Sequence, residues 1–166
     1  YIDEYGIGSG ASPLISGYSK AHENLEKRIT KLLGFESTLV SNSGYLTNIG
    51  LINAISENEI TIFQDKGNHN SIIESSRLSK TKLVRYKHLD YDDLEVKVKK
   101  IKSPTKIIFT DAVFSMTGEK ADLLKISSIA KRHKALLFID DAHGFGVLRE
   151  NEKKFPSSIN HLNLGK

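Results

Sequence analysis

The densest run of reactive side chains is Asp140-Asp141-Ala142-His143-Gly144-Phe145-Gly146. It follows ALLFID, a continuous apolar run that reads as a buried strand ending in a carboxylate. A carboxylate at the end of a buried strand is costly unless it meets a cation. His143 follows closely enough to point at the same place, and the glycines let the loop turn tightly. Such an Asp–His pair fits a metal site, a catalytic pair, or a carboxylate holding a protonated ring nitrogen. With no cysteine and no further clustered histidine, metal is the weakest of the three.

Three other segments could carry chemistry. In Asn42-Ser43-Gly44-Tyr45, a glycine between strand end and helix start lets backbone N–H groups approach an anion, and the helix dipole favours negative charge there. Ser43 adds a hydroxyl, or simply caps the helix, and the two roles are compatible. His69, in Asp65-Lys66-Gly67-Asn68-His69-Asn70, opens the next helix. An imidazole there could stack on a flat ligand, shuttle a proton, or be structural. Ser115 lies in Asp111 to Gly118, which by itself is only a polar loop. There is no Gly-x-Ser-x-Gly elbow and no P-loop, and GIGSG does not follow a strand as a dinucleotide fingerprint must.

These segments need a scaffold. Apolar runs predict strands over Thr38 to Val40, Ile60 to Phe63, Leu83 to Tyr86, Ile107 to Thr110 and Ala135 to Ile139. Helical spacing predicts helices over Ala21 to Leu33, Tyr45 to Ile55, Ser71 to Leu78, Asp92 to Ile101 and Leu123 to Arg132. Alternating strands and helices predict an α/β fold with a mostly parallel sheet flanked by helices. In such sheets, ligands bind outside the carboxyl ends of the strands, where all four polar segments fall. Gly6 to Ser19 is either a linker or an ordered loop packed on something; Ile7, Leu14, Ile15 and Tyr18 favour the loop.

Composition narrows the function classes. The chain has 166 residues, 39% hydrophobic and 27% charged, with a net charge of +4. The absence of cysteine excludes disulfide scaffolds and thiolate metal sites, and fits the cytoplasm. No apolar run approaches the ~18 residues of a membrane helix. Basic residues are interleaved with acidic ones, which argues against nucleic acid. Lys97, Lys99, Lys100 and Lys102 read as a solvated helix face, and His133 as a surface residue. A first residue of Tyr and a polar final stretch read as a segment of a longer protein.

Taken in order, the motifs resemble those of the α-oxoamine synthases, a family of fold-type I pyridoxal-phosphate enzymes. These join an amino acid to an acyl thioester and release carbon dioxide. GSGASPLISGYSKAHENLE (Gly8 to Glu26) is similar to the family's glycine-rich loop, SNSGYLTN (Ser41 to Asn48) to its phosphate-end loop, and NHNSIIE (Asn68 to Glu74) to its ring-stacking segment. TDAVFSMTGE (Thr110 to Glu119) resembles its E-x-V-F-S-M-D-G stretch, and FIDDAHGFGVL (Phe138 to Leu148) its D-(D/E)-A-H-(G/S)-x-G motif. The resemblance implies the large cofactor domain of an aspartate-aminotransferase-like fold, incomplete at both ends, with the small C-terminal domain outside this chain. It implies that Asp140 pairs with the pyridine nitrogen and His143 with the phenolic oxygen. His69 would stack on the ring as the catalytic histidine of this segment, and Ser115 would lie beside it. Gly44 and Tyr45 would give N–H groups to the phosphate, with Ser43 near. His22 and Glu26 match as structural residues. Asp111 stands where the family often has Glu, with little consequence expected. Lys166 in LNLGK superficially resembles the cofactor-lysine motif, but Pro156 to Gly165 is polar and broken and Asn163 stands where Thr is usual. The lysine is therefore expected outside this segment.

ISGYS (Ile15 to Ser19) is most similar to the biotin-pathway branch, which joins L-alanine to a pimeloyl thioester carried by coenzyme A or an acyl-carrier protein. That branch implies a cytoplasmic homodimer with active sites at the interface, where Gly6 to Ser19 is the candidate interface element. Three alternatives stand beside it. One is a glycine-using relative of the 5-aminolevulinate synthase or 2-amino-3-oxobutyrate CoA ligase type. Another is a lysine-less scaffold subunit, which would not need Asp140, His143 and His69. The last is a generic nucleotide-binding domain, disfavoured by the missing fingerprints.

Overall fold

The computed structural model describes residues 1–56, 59–79 and 81–148. They fall into two compact units, one starting at Tyr1 and ending at Ser41, the other starting at Asn42.

The first unit holds a short helix α1 (Ile2–Tyr5), a single wide helical turn at Pro13–Gly17, and α2 (Lys20–Leu33). The wide turn requires its glycine: a Cβ on Gly17 would lie 1.8 Å from the Ala11 carbonyl oxygen. Helix α2 starts at Ser19, whose backbone N–H donates to His22 Nδ1 at 3.1 Å, and stops at Gly34 in the left-handed conformation (φ 74°). Glu26 accepts from the Tyr18 hydroxyl at 2.6 Å and from the Val40 N–H at 3.0 Å. His22 and Glu26 thus have the structural roles expected of them.

That last contact corrects an expectation. Thr38 to Val40 pairs with no strand among the described residues. The Val40 N–H is taken by a side chain instead of a ladder, and Leu39 is 92% exposed. A strand exists only where its backbone groups find a neighbouring strand. In the Gly6 to Ser19 loop, Ile7, Leu14 and Ile15 are largely exposed.

The second unit contains α3 (Gly44–Ile55), β1 (Ile60–Asp65), α4 (Asn70–Leu78), β2 (Lys82–Tyr86), α5 (Tyr91–Lys100), β3 (Thr105–Asp111), α6 (Leu123–Arg132) and β4 (Leu136–Asp140). The four strands are parallel in the order β2-β1-β3-β4. The α/β architecture, the other four predicted strands and the five helices are all present, within a residue or two at most ends.

Strand periodicity divides the core into two layers. Ile60, Ile62, Ile107 and Phe109 pack with Ile52 of α3 and Ile72 of α4. Phe63 and Ile108, facing the other way, pack with Leu94 and Val98 of α5 and with Ile126 and Ile129 of α6. Alternate side chains point to opposite faces, so both faces must be covered, and the runs read as continuously apolar. Removing one such side chain, as in Ile62→Ala, costs about 3 kcal/mol. Asp90 and Asp122 cap α5 and α6 by accepting from Asp93 N–H (2.9 Å) and Lys125 N–H (3.0 Å). The expectation for His133 is also corrected: its side chain is only 17% exposed and reaches Glu95 of α5 at 3.2 Å. A charged helix end lies over a neighbouring helix here, and periodicity on one helix does not reveal that.

Among the described residues, no helix is long and apolar enough to cross a membrane. No cluster of His, Asp and Glu there could hold a metal ion.

Candidate functional site at the carboxyl edge of the sheet

Parallel register brings the ends of the strands into line, with Asp111 of β3 directly beside Asp140 of β4. Beyond them is a cleft of about 140 Å³, lined by Gly44, Tyr45, Asn48, His69, Ser71, Asp111, Val113, Asp140, Ala142 and His143. Five of the seven residues singled out in the sequence thus border one cavity: Gly44, Tyr45, His69, Asp140 and His143. Ser43 and Ser115 do not line it. Ser43 sits at the N-cap of α3, and its hydroxyl accepts from Leu46 N–H at 3.2 Å. Ser115 is exposed on the loop after β3.

Helix α3 opens onto this cleft. Its first backbone N–H groups, at Gly44 and Tyr45, have no acceptor within the helix, as at any helix start. The space beside Gly44 is open, since a Cβ there would meet nothing within 4 Å. Free donors and the positive end of the helix dipole favour an anion here.

His69 caps α4. Its backbone N–H donates to Asp111 Oδ2 at 2.8 Å, and its Nδ1 accepts from Ser71 N–H at 3.2 Å. Asn68 fixes the turn before it. The Asn68 amide donates to the Phe109 carbonyl at 2.7 Å and accepts from Asp111 N–H at 3.2 Å, imitating one more rung of strand pairing. Burial pushes the Asp111 carboxyl up to about 7, the His69 N–H opposes this, and the neighbouring Asp140 and Asp65 add to it.

Asp140 differs from its neighbours. Oδ1 accepts from Ala142 N–H at 3.1 Å and Oδ2 from the Asn48 amide at 2.9 Å. Both donors are neutral, and no cationic side chain among the described residues pairs with it. His143 lies exposed in the turn that follows.

A second cluster lies on the same edge. His88 Nδ1 meets Asp65 Oδ1 at 2.6 Å, and Nε2 meets Glu119 Oε2 at 3.0 Å. Burial alone would depress the His88 imidazole, but its hydrogen bonds to Asp65 and then Glu119 outweigh this and hold it above its ordinary value. The ring also packs edge-on against Phe114, with centroids 4.5 Å apart. Residue 67 must be glycine, because a Cβ there would lie 2.5 Å from His88 Nδ1.

The cleft therefore combines an anion-favouring helix start, a carboxylate without an internal cation, and an imidazole. This donor and acceptor set fits pyridoxal phosphate, which carries a phosphate and a protonatable ring nitrogen. None of the lysines among the described residues lines the cleft. Lys166 lies outside the described residues.

The family follows. The aminotransferase class I and II profile matches residues 4–164, and the chain belongs to that family. Within it, the chain is 44% identical over 149 residues to the 8-amino-7-oxononanoate synthase of Nitrosomonas eutropha, covering 90% of this chain and 38% of that protein. The fold matches the 8-amino-7-oxononanoate synthase of Francisella tularensis with a TM-score of 0.76 at 29% identity, covering 96% of this chain and 42% of that one. It matches a serine palmitoyltransferase of S. paucimobilis, solved with PLP–myriocin bound, with a TM-score of 0.85 at 25% identity, covering 92% and 40%. The sheet is thus that of a fold-type I pyridoxal-phosphate enzyme. The chain spans about two fifths of the length of these proteins.

Sequence reasoning missed Asn48, Asn68 and Ser71 and assigned little weight to Asp111. One signal was available. Asn48 sits one helical turn before Ile52, on the face of α3 that is buried. A polar residue on an apolar stripe calls for a partner.

Proposed function

We propose that the whole protein is a pyridoxal-phosphate-dependent acyltransferase that condenses L-alanine with a pimeloyl thioester to give 8-amino-7-oxononanoate, a step of biotin biosynthesis. The observation that carries this is Asp140, a carboxylate at a strand end held by neutral donors in one cleft with the start of α3 and with His69. When bound, the cofactor supplies an electron sink that stabilises negative charge at the amino acid's α-carbon. Asp140 would keep the ring nitrogen protonated, Gly44 and Tyr45 N–H groups would bind the phosphate, and His69 would stack on the ring. His143 would donate to the phenolic oxygen and Ser43, as the N-cap of α3, would support the phosphate loop, while Ser115, expected beside the ring, lies off the cleft wall. Pimeloyl-CoA or pimeloyl-acyl-carrier protein would be the acyl donor. A cytoplasmic homodimer is the expected assembly, and Gly6 to Ser19 its candidate interface element. The names of the relatives support alanine as the amino acid.

A serine-using activity is the competing reading, because the fold superposes on serine palmitoyltransferase with a TM-score of 0.85 against 0.76 for the biotin-pathway enzyme. An absorbance titration of the full-length protein loaded with pyridoxal phosphate separates them. The visible cofactor band is expected to shift with L-alanine and little with glycine or L-serine. A shift mainly with glycine or serine moves the assignment to that branch. No cofactor band at all favours a scaffold subunit.

A further inference from the structure

Asn48 has no place in the roles above, yet it touches both sides of the cofactor cleft's polar machinery. Its side-chain nitrogen lies 2.9 Å from Asp140 Oδ2 and 2.9 Å from Ser71 Oγ. Ser71 Oγ in turn lies 2.8 Å from His69 Nδ1. Asn48 is 8% exposed and Ser71 1%. Water therefore replaces these contacts poorly, and each polar atom needs its partner.

Chemistry fixes the direction of every bond. An ionised carboxylate only accepts, so Asn48 must turn its NH₂, not its carbonyl oxygen, to Asp140. The two amide protons are then both assigned, one to Asp140 and one to Ser71. The Ser71 hydroxyl, already accepting, gives its single proton to His69 Nδ1. That nitrogen also accepts from Ser71 N–H at 3.2 Å. In the neutral ring, the proton therefore resides on Nε2. A purely packing role at this position would take an apolar side chain, as Ile52 does one turn later.

We infer that Asn48 is a positioning residue that ties Asp140 to the His69 imidazole through Ser71. The carboxylate that faces the ring nitrogen and the imidazole that faces the ring are held as one hydrogen-bonded unit. Its consequence for cofactor binding rests on the pyridoxal-phosphate reading; the linkage itself does not.

The test uses a spectroscopic cycle on the full-length, cofactor-free protein. His69 ring nitrogen shifts are recorded in wild type, Asp140→Asn, Asn48→Ala and the double variant. Asp140→Asn is expected to move the Nδ1 resonance when Asn48 is present and to leave it nearly unmoved in the Asn48→Ala background. Ser71→Ala cuts the relay at its other joint and is expected to abolish the same response, which keeps the test open if Asn48→Ala folds poorly. Equal responses with and without Asn48, or none in wild type, overturn the inference. In parallel, equilibrium dialysis against pyridoxal phosphate is expected to give roughly tenfold weaker binding for Asn48→Ala, by analogy with outer-shell partners of bound groups. Failure of the wild type to bind the cofactor would refute the functional reading and leave the spectroscopic result intact.

Discussion

β1 and β4 both end in aspartate, and the two carboxylates keep opposite company. Asp65 is fully buried and accepts from Gly67 N–H at 2.6 Å and Leu89 N–H at 2.9 Å, with the His88 imidazole against it. Its partners all lie inside the chain. Asp140 is half-buried, receives neutral donors alone and borders a cleft. Two residues of one type, at equivalent positions in one sheet, thus separate into a structural carboxylate–imidazole pair and a carboxylate that borders the cleft. The difference lies in whether the fold supplies an imidazole. Asp111, which closes β3 beside Asp140, also has only a neutral donor, but it is buried and its carboxyl is pushed up to about 7, which leaves Asp140 as the half-exposed carboxylate of the cleft.

The comparison is broken most directly at Asp140. Asp140→Asn keeps the shape and removes the charge, and pyridoxal-phosphate affinity is expected to fall roughly a hundredfold. Fluorescence titration of the cofactor checks this, and the cofactor-free protein should lose only about 1 kcal/mol of stability, because the new amide can accept at one of the two contacts and not at both. At Asp65 the effect reverses. His88→Ala leaves Asp65 buried without its imidazole partner and is expected to cost about 3 kcal/mol in stability. Urea unfolding measures it, and that loss should appear with or without cofactor.

Acidity sharpens the contrast. The His88 imidazole is held above its ordinary value, so its contribution is fully present below the unfolded value of ~6.5 and is lost as pH rises through the folded one. Asp111 is raised to about 7. The folded state then keeps a proton that the unfolded state releases, and stability falls between roughly pH 4 and the folded value. Asp111→Asn removes that ionisation but still offers an acceptor to His69 N–H. Unfolding of the cofactor-free protein across pH is expected to show no gain for this variant at the acid end and a growing gain toward the alkaline end. His88→Ala should flatten only the upper part of the wild-type profile. The smallest effect belongs to Glu119→Gln. Glu119 is about half exposed, so solvent screening should leave stability nearly unchanged. The His88 titration followed by proton NMR should nonetheless move down toward its ordinary value.

The alternation of apolar runs and amphipathic helices was legible because both faces of a central parallel sheet must be covered. KIIFTD and ALLFID announce such strands without any knowledge of their neighbours. Thr38 to Val40 has the composition of a strand and is not one here, because ladder pairing is a non-local property. The loop motifs were legible by type, Asp140 above all, since a charge closing an apolar run needs an explanation. What they touch was not. Ser43 and Ser115 lie in the right segments but off the cleft wall, while Asn48 and Ser71 reach it from one helical turn away and from the helix beside His69.

Local chain chemistry therefore determined the α/β class, the elements, and the segments that meet at the sheet's carboxyl edge. Periodicity, caps and charge at strand ends act over a few residues and can be read in one dimension. Tertiary structure alone decided which aspartate received an imidazole and which borders the cleft with neutral donors alone. It also decided that Asn48, Ser71 and His69 form one chain of hydrogen bonds. Those outcomes depend on residues 23 to 92 positions apart coming within about 3 Å, and hydrogen bonding is a short-range interaction that only the register of strands and the packing of helices can arrange.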